Sequence, residues 1–339
     1  MSIKIFDLPG PQIFFRNTDR KVREGQSLFI HSIDRYVFEL LLGAIEKYQN
    51  KHETYYLRKI YSSKETPAVN LYHELSCKCS LKDMDFEYLY SLDKFRGNLF
   101  LVAVQDEESL QQWIDYICKF SEFTRSAYPG SEKSIFILAN PFDIEDDHTF
   151  DPGIEVINAK DIISKYDIQI YVDLETRFQF NTMLARHLYI TLISELSNGK
   201  IKVCEDLLGL GHDLRNLMNP SNPKLVCEES FQDTSKVRFA IWRAQVQILF
   251  PEIEMFRQKI IEEHKSTINL PHVNEMNHRN ITELHDMELS DIYFQARHGI
   301  ISLPEDKLAY LRSMISVRNK IAHLEPITYS AFEKINILH

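Results

Sequence analysis

The chain is expected to fold as an α/β plus α protein, with a Rossmann-like parallel-sheet domain over residues 1–178 and an all-helical domain over 179–339. Three observations predict this. In the first half, short and nearly all-apolar runs alternate with amphipathic stretches, the pattern of a parallel sheet covered by helices on both faces. In the second half no convincing strand occurs, and apolar residues recur at helical spacing. A length of 339 residues, 44% hydrophobic and 26% charged, suits two domains with sizeable cores.

Taken in order, the expected strands are SLFIH (27–31), TYYLRKI (54–60), NLFLVAV (98–104), SIFILAN (134–140), GIEVINA (153–159) and IQIYVDL (168–174). Helical patterns separate them at 34–48, 108–123 and 161–167. The stretch 140–153 reads as an acidic surface loop. The second half continues with helical patterns at 176–197, 201–218, 235–250, 251–264, 284–299 and 304–323. Pro251 and Pro304 suit helix starts and Gly299 a stop, while Ser302 with Glu305 reads as a capping box. NPSNPK (219–224) is a turn-rich break inside the bundle.

Composition excludes several classes. No apolar run approaches the roughly 20 residues needed to span a bilayer. The stretch MSIKIFDLPGPQIFF carries neither a basic leader nor a small-residue cleavage site, so a secretory signal is not expected. The five cysteines (77, 79, 118, 204 and 227) are odd in number and mostly isolated, which points to a reducing cytoplasm rather than a disulfide framework. Cys77 and Cys79 form a C-x-C pair without a Cys/His partner pair at zinc spacing, so no metal site is expected. The net charge of −10 argues against a broadly basic duplex-binding surface. Residues 1–180 hold 21 Lys+Arg against 29 Asp+Glu, a net of −8, and residues 181–339 hold 18 against 20, a net of −2. A local phosphate-binding cleft is therefore compatible with the second half.

An α/β sheet invites a nucleotide at the carboxyl ends of its strands. After the first strand, however, HSIDRY (31–36) offers neither the Gly nor the Lys of a phosphate loop. LVAVQDEES (101–109) has the form of a magnesium-holding segment through Asp106 and Glu107, the two weak cofactor candidates. The same pair equally suits the first turn of a helix, where acids complement the dipole. Asn140 ends the next strand, where some ATPases keep a polar sensor. The order of elements resembles a P-loop ATPase domain of signalling and defence proteins, but one lacking its phosphate loop. That implies a regulatory or partner-binding domain.

One helix raises a sharper question. In SVRNKIAHLEPIT (316–328), Arg318 falls on the apolar line Leu308, Leu311, Ile315 and Ala322, and a charge facing a core is costly unless paired or lining a cleft. His323 lies about 140° further round at 100° per residue, so the two do not share a face of one straight helix. RNKIAH (318–323) resembles the Arg-x4-His motif of the HEPN superfamily, with Asn directly after the Arg. The resemblance covers the last 100–160 residues. It implies a metal-independent ribonuclease, needing no cofactor, whose site is assembled by a homodimer of the helical domain. Arg318 would hold the scissile phosphate, Asn319 would orient it or the His, and His323 would act as general acid or base. The setting implied is an antiphage-defence or toxin–antitoxin-like effector, with RNA as substrate and a protein partner at the N-terminal domain. The structural alternative pairs Arg318 with Glu288 or Asp291 of a neighbouring helix, leaves His323 as a helix cap, and makes the chain a non-catalytic partner-binding subunit.

Two further motifs suggest less. GHDLRNLMNP (211–220) resembles a histidine-kinase phosphoacceptor box, but no ATP-binding boxes follow it. A His–Asp metal site using His187 and Asp286 lacks further ligands. A buried, hydrogen-bonded His212 is expected, as is Trp242 in the core, with base stacking by Trp242 as the alternative.

Overall fold

The computed structural model describes residues 5–50, 55–77, 86–127, 133–141, 154–160, 162–222, 225, 233–274 and 278–336. Two compact units emerge, Ile3–Asp167 and Ile168–His339. Cys79, Cys227 and most of the acidic stretch 140–153 lie outside the described residues.

The first unit runs α1 (Pro9–Arg23), β1 (Ser27–His31), α2 (Phe38–Gln49), β2 (Tyr56–Tyr61), α3 (Pro67–Glu74), α4 (Phe86–Ser91), β3 (Asn98–Ala103), α5 (Glu107–Ala127), β4 (Ile135–Ala139) and β5 (Ile154–Asn158). All five strands are parallel, in the order β2-β3-β4-β1-β5, with registers such as Leu101↔Ile137 and Phe29↔Val156. Every residue of β3 and β4 is buried, so both faces of the sheet centre are covered, as their unbroken apolar sequences require. Edge strands β2 and β5 are partly open, with Tyr56 and Val156 exposed. Phe100 stacks between Phe95 (5.4 Å) and Phe136 (5.3 Å), and Trp113 packs into the same cluster.

No glycine follows β1. Ser32 takes the left-handed turn there instead, at φ 58°, and Asn140 closes it by donating its N–H to the Ile30 carbonyl and accepting from the Ile33 N–H.

The run 168–174, expected as a strand, is helical and forms most of α6 (Lys165–Glu175). Its buried positions are Ile168, Val172 and the following Thr176, a four-residue period, whereas Ile170 and Leu174 are exposed. The start is fixed by reciprocal bonds: Ser164 N–H donates to Asp167 Oδ2 (2.9 Å) and Asp167 N–H donates to Ser164 Oγ (3.1 Å). The other oxygen of Asp167, itself buried, accepts the Gly10 N–H at 3.0 Å, which satisfies an orphan donor of the first turn of α1. A Cβ on Gly10 would collide with that carboxylate and sit 2.9 Å from the Ile162 carbonyl oxygen. Gly10→Ala is therefore expected to destabilise the sheet unit by about 1–3 kcal/mol, read as a lowered urea midpoint.

The second unit contains α7 (Met183–Ser197), α8 (Ile201–Gly209), α9 (Leu214–Leu217), α10 (Thr234–His264), α11 (Leu289–Arg297), α12 (Glu305–Ala322) and α13 (Tyr329–Asn336). It is mostly helical, but β6 (His272–Val273) and β7 (Asn280–Ile281) form a small antiparallel hairpin too short to register as a sequence pattern. Pro251 does not start a helix. It lies inside the 31-residue α10 and costs one backbone hydrogen bond, that to Gln247, an exposed residue. Ser302 and Glu305 make no capping box, because the N-cap of α12 is Pro304. A capping box forms instead at α11, between Glu288 and Asp291. No described helix is long and apolar enough to cross a membrane.

Candidate functional site

Helices α10 and α12 run antiparallel. Trp242 reaches Ile321, and at the opposite end Glu263 pairs with Lys307 at 3.2 Å. This packing selects the buried face of α12: Tyr310, Leu311, Met314, Val317 and Ile321. That face is rotated by roughly 80° from the Leu308–Ala322 line at about 100° per residue, so Arg318 does not point into the core. It lies on the flank of the buried stripe, half-buried.

There Arg318 and Asn319 line a cleft of about 550 Å³, together with Arg257, Arg279, Glu288 and Asp291. Arg318 Nη2 sits 2.9 Å from Glu288 Oε2, and its Nη1 donates to Asn319 Oδ1 at 3.4 Å. The side chains of Arg318 and Glu288 are 38% and 51% exposed, so water screens the pair and its contribution is at most about 1 kcal/mol.

Arg257 has a different task. Its Nη1 donates to the carbonyls of His285 (3.1 Å) and Met287 (2.7 Å), and its Nε to Glu254 (2.8 Å). The hydrogen bond with Glu254 raises the Arg257 pKa and lowers that of Glu254. Arg257 is thus a fixed cation holding the wall of the cleft. Asp291, buried at its base, accepts from the Glu288 N–H at 2.8 Å and from Asn274 Nδ2 at 2.5 Å. Sequence reasoning overlooked Arg257 and Asn274, and the one signal nearby was the acid pair Glu288/Asp291 at capping-box spacing.

His323 occupies the C-cap of α12 and is exposed. Its ring makes no hydrogen bond or ion pair among the described residues, and it is not among the described residues lining the cleft. The turn beyond it is a Schellman motif: Leu324 N–H donates to Ile321 O (3.2 Å) and Glu325 N–H to Lys320 O (2.9 Å). Leu324 fills the left-handed position, at φ 60°, where glycine is usual. Two contacts from α10 brace this region. Trp242 Nε1 donates to the Ile321 carbonyl at 2.7 Å, and Gln245 clasps Ile327 through Nε2→O (3.0 Å) and N→Oε1 (2.7 Å). Trp242 is half-buried rather than core.

The remaining sequence candidates do not converge. Asp106 caps α5, accepting the Ser109 N–H (2.8 Å) and hydroxyl (2.9 Å), and these bonds lower its pKa. Glu107 follows as the first helical residue, exposed. Because the folded pKa is depressed, the stability Asp106 adds is present above about pH 4, the usual carboxylate value, and is lost as the pH falls through the folded value. Asp106→Ala is expected to cost about 1 kcal/mol at neutral pH and less in acid, as measured by paired denaturant melts. His212 is exposed, not buried, with its ring edge-on to Tyr189 at 5.6 Å, and it directly precedes Asp213, the N-cap of the four-residue α9. His187 is exposed, and Asp286 pairs with Arg279 at 3.0 Å. No protein-family model matches the chain, and no curated protein matches it.

Proposed function

We propose that this chain is a metal-independent endoribonuclease of the HEPN type, with Arg318, Asn319 and His323 as its working residues. The observation that carries this reading is the state of these three side chains. All lie off the buried face at the end of α12: Arg318 and Asn319 open into a cleft, where Arg318 meets the half-exposed Glu288 carboxylate and Asn319, and among the described residues the His323 ring makes no hydrogen bond or ion pair.

In this reaction His323 takes the proton of a ribose 2′-hydroxyl and O2′ attacks the adjacent phosphorus. The P–O5′ bond breaks and the departing 5′-oxygen takes a proton from the imidazolium, which returns to its neutral form. The products are a 2′,3′-cyclic phosphate and a 5′-hydroxyl. Arg318 donates two N–H groups to the phosphate oxygens, where negative charge accumulates. Imidazole suits the proton transfers because it titrates near neutrality.

Within one helix the two positions differ by about 140° and roughly 7.5 Å of rise. A second copy presenting its own α12 brings the His of one to the Arg of the other, so the working form is a homodimer. The sheet unit, lacking a glycine loop after β1, serves as the regulatory partner-binding part of a cytoplasmic defence or toxin–antitoxin-like effector. The rival reading, a non-catalytic partner-binding subunit, draws on the Arg318–Glu288 ion pair.

The test is RNA cleavage in EDTA by wild type, Arg318→Ala and His323→Ala. Cleavage with cyclic-phosphate ends that both substitutions abolish supports the nuclease. Cleavage that persists in His323→Ala removes this histidine from the chemistry, and no cleavage by any of the three proteins against mixed RNA and tRNA favours the binding subunit.

A further inference from the structure

A second feature lies beside His323. Phe239 is 51% exposed and stacks on Trp242, with ring centroids 5.2 Å apart and planes 26° from parallel. The indole is pinned to the Ile321 carbonyl, two residues before His323. On α10 the positions 235, 239, 242 and 246 share a face, so the aromatic pair forms a step along the surface next to the end of α12.

The charge around this step departs from the rest of the chain. Residues 235–250 contain Lys236, Arg238 and Arg243 and no acid; residues 312–323 contain Arg312, Arg318 and Lys320 and no acid. Lys236, Arg238 and Arg243 lie within about one turn of the aromatic pair on α10, and Lys320 directly precedes the residue whose carbonyl the indole holds, in a protein of net charge −10. Arg243 is committed in part, to Glu195 at 3.2 Å, with its guanidinium 6.0 Å from the Phe239 ring centroid. Lys236, Arg238, Arg312 and Lys320 are exposed.

We infer that Phe239 and Trp242 form a stacking subsite for an unpaired nucleobase, with the surrounding cations following the phosphates of a single strand. An exposed aromatic face flanked by exposed basic side chains matches the chemistry of single-stranded nucleic acid: every base has a π-face to stack, and every link carries a negative charge. The subsite extends the ribonuclease reading, on which it rests for its RNA substrate, by specifying single-stranded RNA with a base seated on Phe239.

The experiment titrates the full chain with an oligothymidylate of about twelve nucleotides, within the span such grooves cover. Lacking 2′-hydroxyls, this probe cannot be cleaved by the proposed chemistry. Trp242 reports binding, because the second tryptophan, Trp113, is buried at 1% exposure. Saturable quenching is expected, with affinity about tenfold weaker in Phe239→Leu and retained in Phe239→Tyr. Paired Lys236→Gln and Arg238→Gln substitutions should flatten the salt dependence by about 0.7 in log–log slope per lost phosphate contact.

An absence of binding, or equal affinity in Phe239→Leu, overturns the subsite. So does unchanged affinity with an altered sedimentation coefficient in Phe239→Leu, which would make this face a contact between copies. Failure of the nuclease reading looks different: binding that depends on Phe239, without cleavage of any RNA, removes the activity and keeps the subsite. Cleavage that depends on His323 but not on Phe239 does the reverse.

Discussion

Gln245→Ala is expected to destabilise the helical unit by about 3–5 kcal/mol, one of the two largest effects a single substitution should have in this chain. Gln245 is fully buried, and both ends of its amide engage Ile327, one accepting the backbone N–H and the other donating to the carbonyl. Truncation strands a buried donor and a buried acceptor at once, each costing about 1–3 kcal/mol, and leaves a cavity between them. Ile327 leads directly into α13, whose buried Phe332 and Ile335 close that end of the bundle. A urea titration followed by circular dichroism reads the effect as a shifted helical-unit transition. A shift below about 1 kcal/mol would show that the clasp is dispensable. Gln245→Glu is the informative second variant: it keeps the acceptor for the Ile327 N–H, loses the donor, and buries a charge, so it should rescue nothing.

The second large effect concerns turnover. On the proposed ribonuclease reading, His323→Ala is expected to lower metal-free RNA cleavage by about 10²–10⁴-fold, the range for a positioned acid–base group. Arg318→Ala should cost about 10²–10³-fold, as for loss of a donor to a developing oxyanion. Arg318→Lys should recover little, because an ammonium cannot offer two parallel N–H groups. Neither residue supports the fold: His323 is exposed, and the Arg318–Glu288 pair is screened. Melting temperatures should therefore stay within a few degrees of wild type while the rate collapses. Loss of activity accompanied by unfolding would refute this division between stability and chemistry.

The sheet was readable because its inner strands are nearly all apolar. NLFLVA and IFILA cannot be half-exposed, so strand and burial were inferred together. IQIYVDL failed for the opposite reason: Ile168, Ile170, Val172 and Leu174 alternate with more polar residues as in a half-exposed strand, yet only Ile168 and Val172 of the four are buried, at helical spacing. The deciding feature was the Ser164/Asp167 box just upstream. On α12 both Leu308–Ile315 and Tyr310–Met314–Val317 are plausible apolar lines sharing Leu311, and only the helices packed on it, α10, α11 and α13, choose between them. That choice moves Arg318 from the core to the lip of a cleft. The pairing of Arg318 with Glu288 was foreseeable as one of two acids in reach. The cleft itself was not, because its walls come from residues within 250–257, Asn274, residues within 279–291 and residues within 315–319, and only folding brings them together.

The turn carrying His323 is suspended between two fixed points. Ile321 is tied to Trp242 and Ile327 to Gln245, and between them the backbone relies on Leu324 holding a conformation that disfavours a branched side chain. A bridge anchored at both ends but strained in the middle opens locally before either anchor gives way. The amides of Leu324 and Glu325 should thus exchange with deuterium well ahead of those of Ile321 and Ile327. His323 would then change its orientation on its own timescale, without any movement of the helix that bears it.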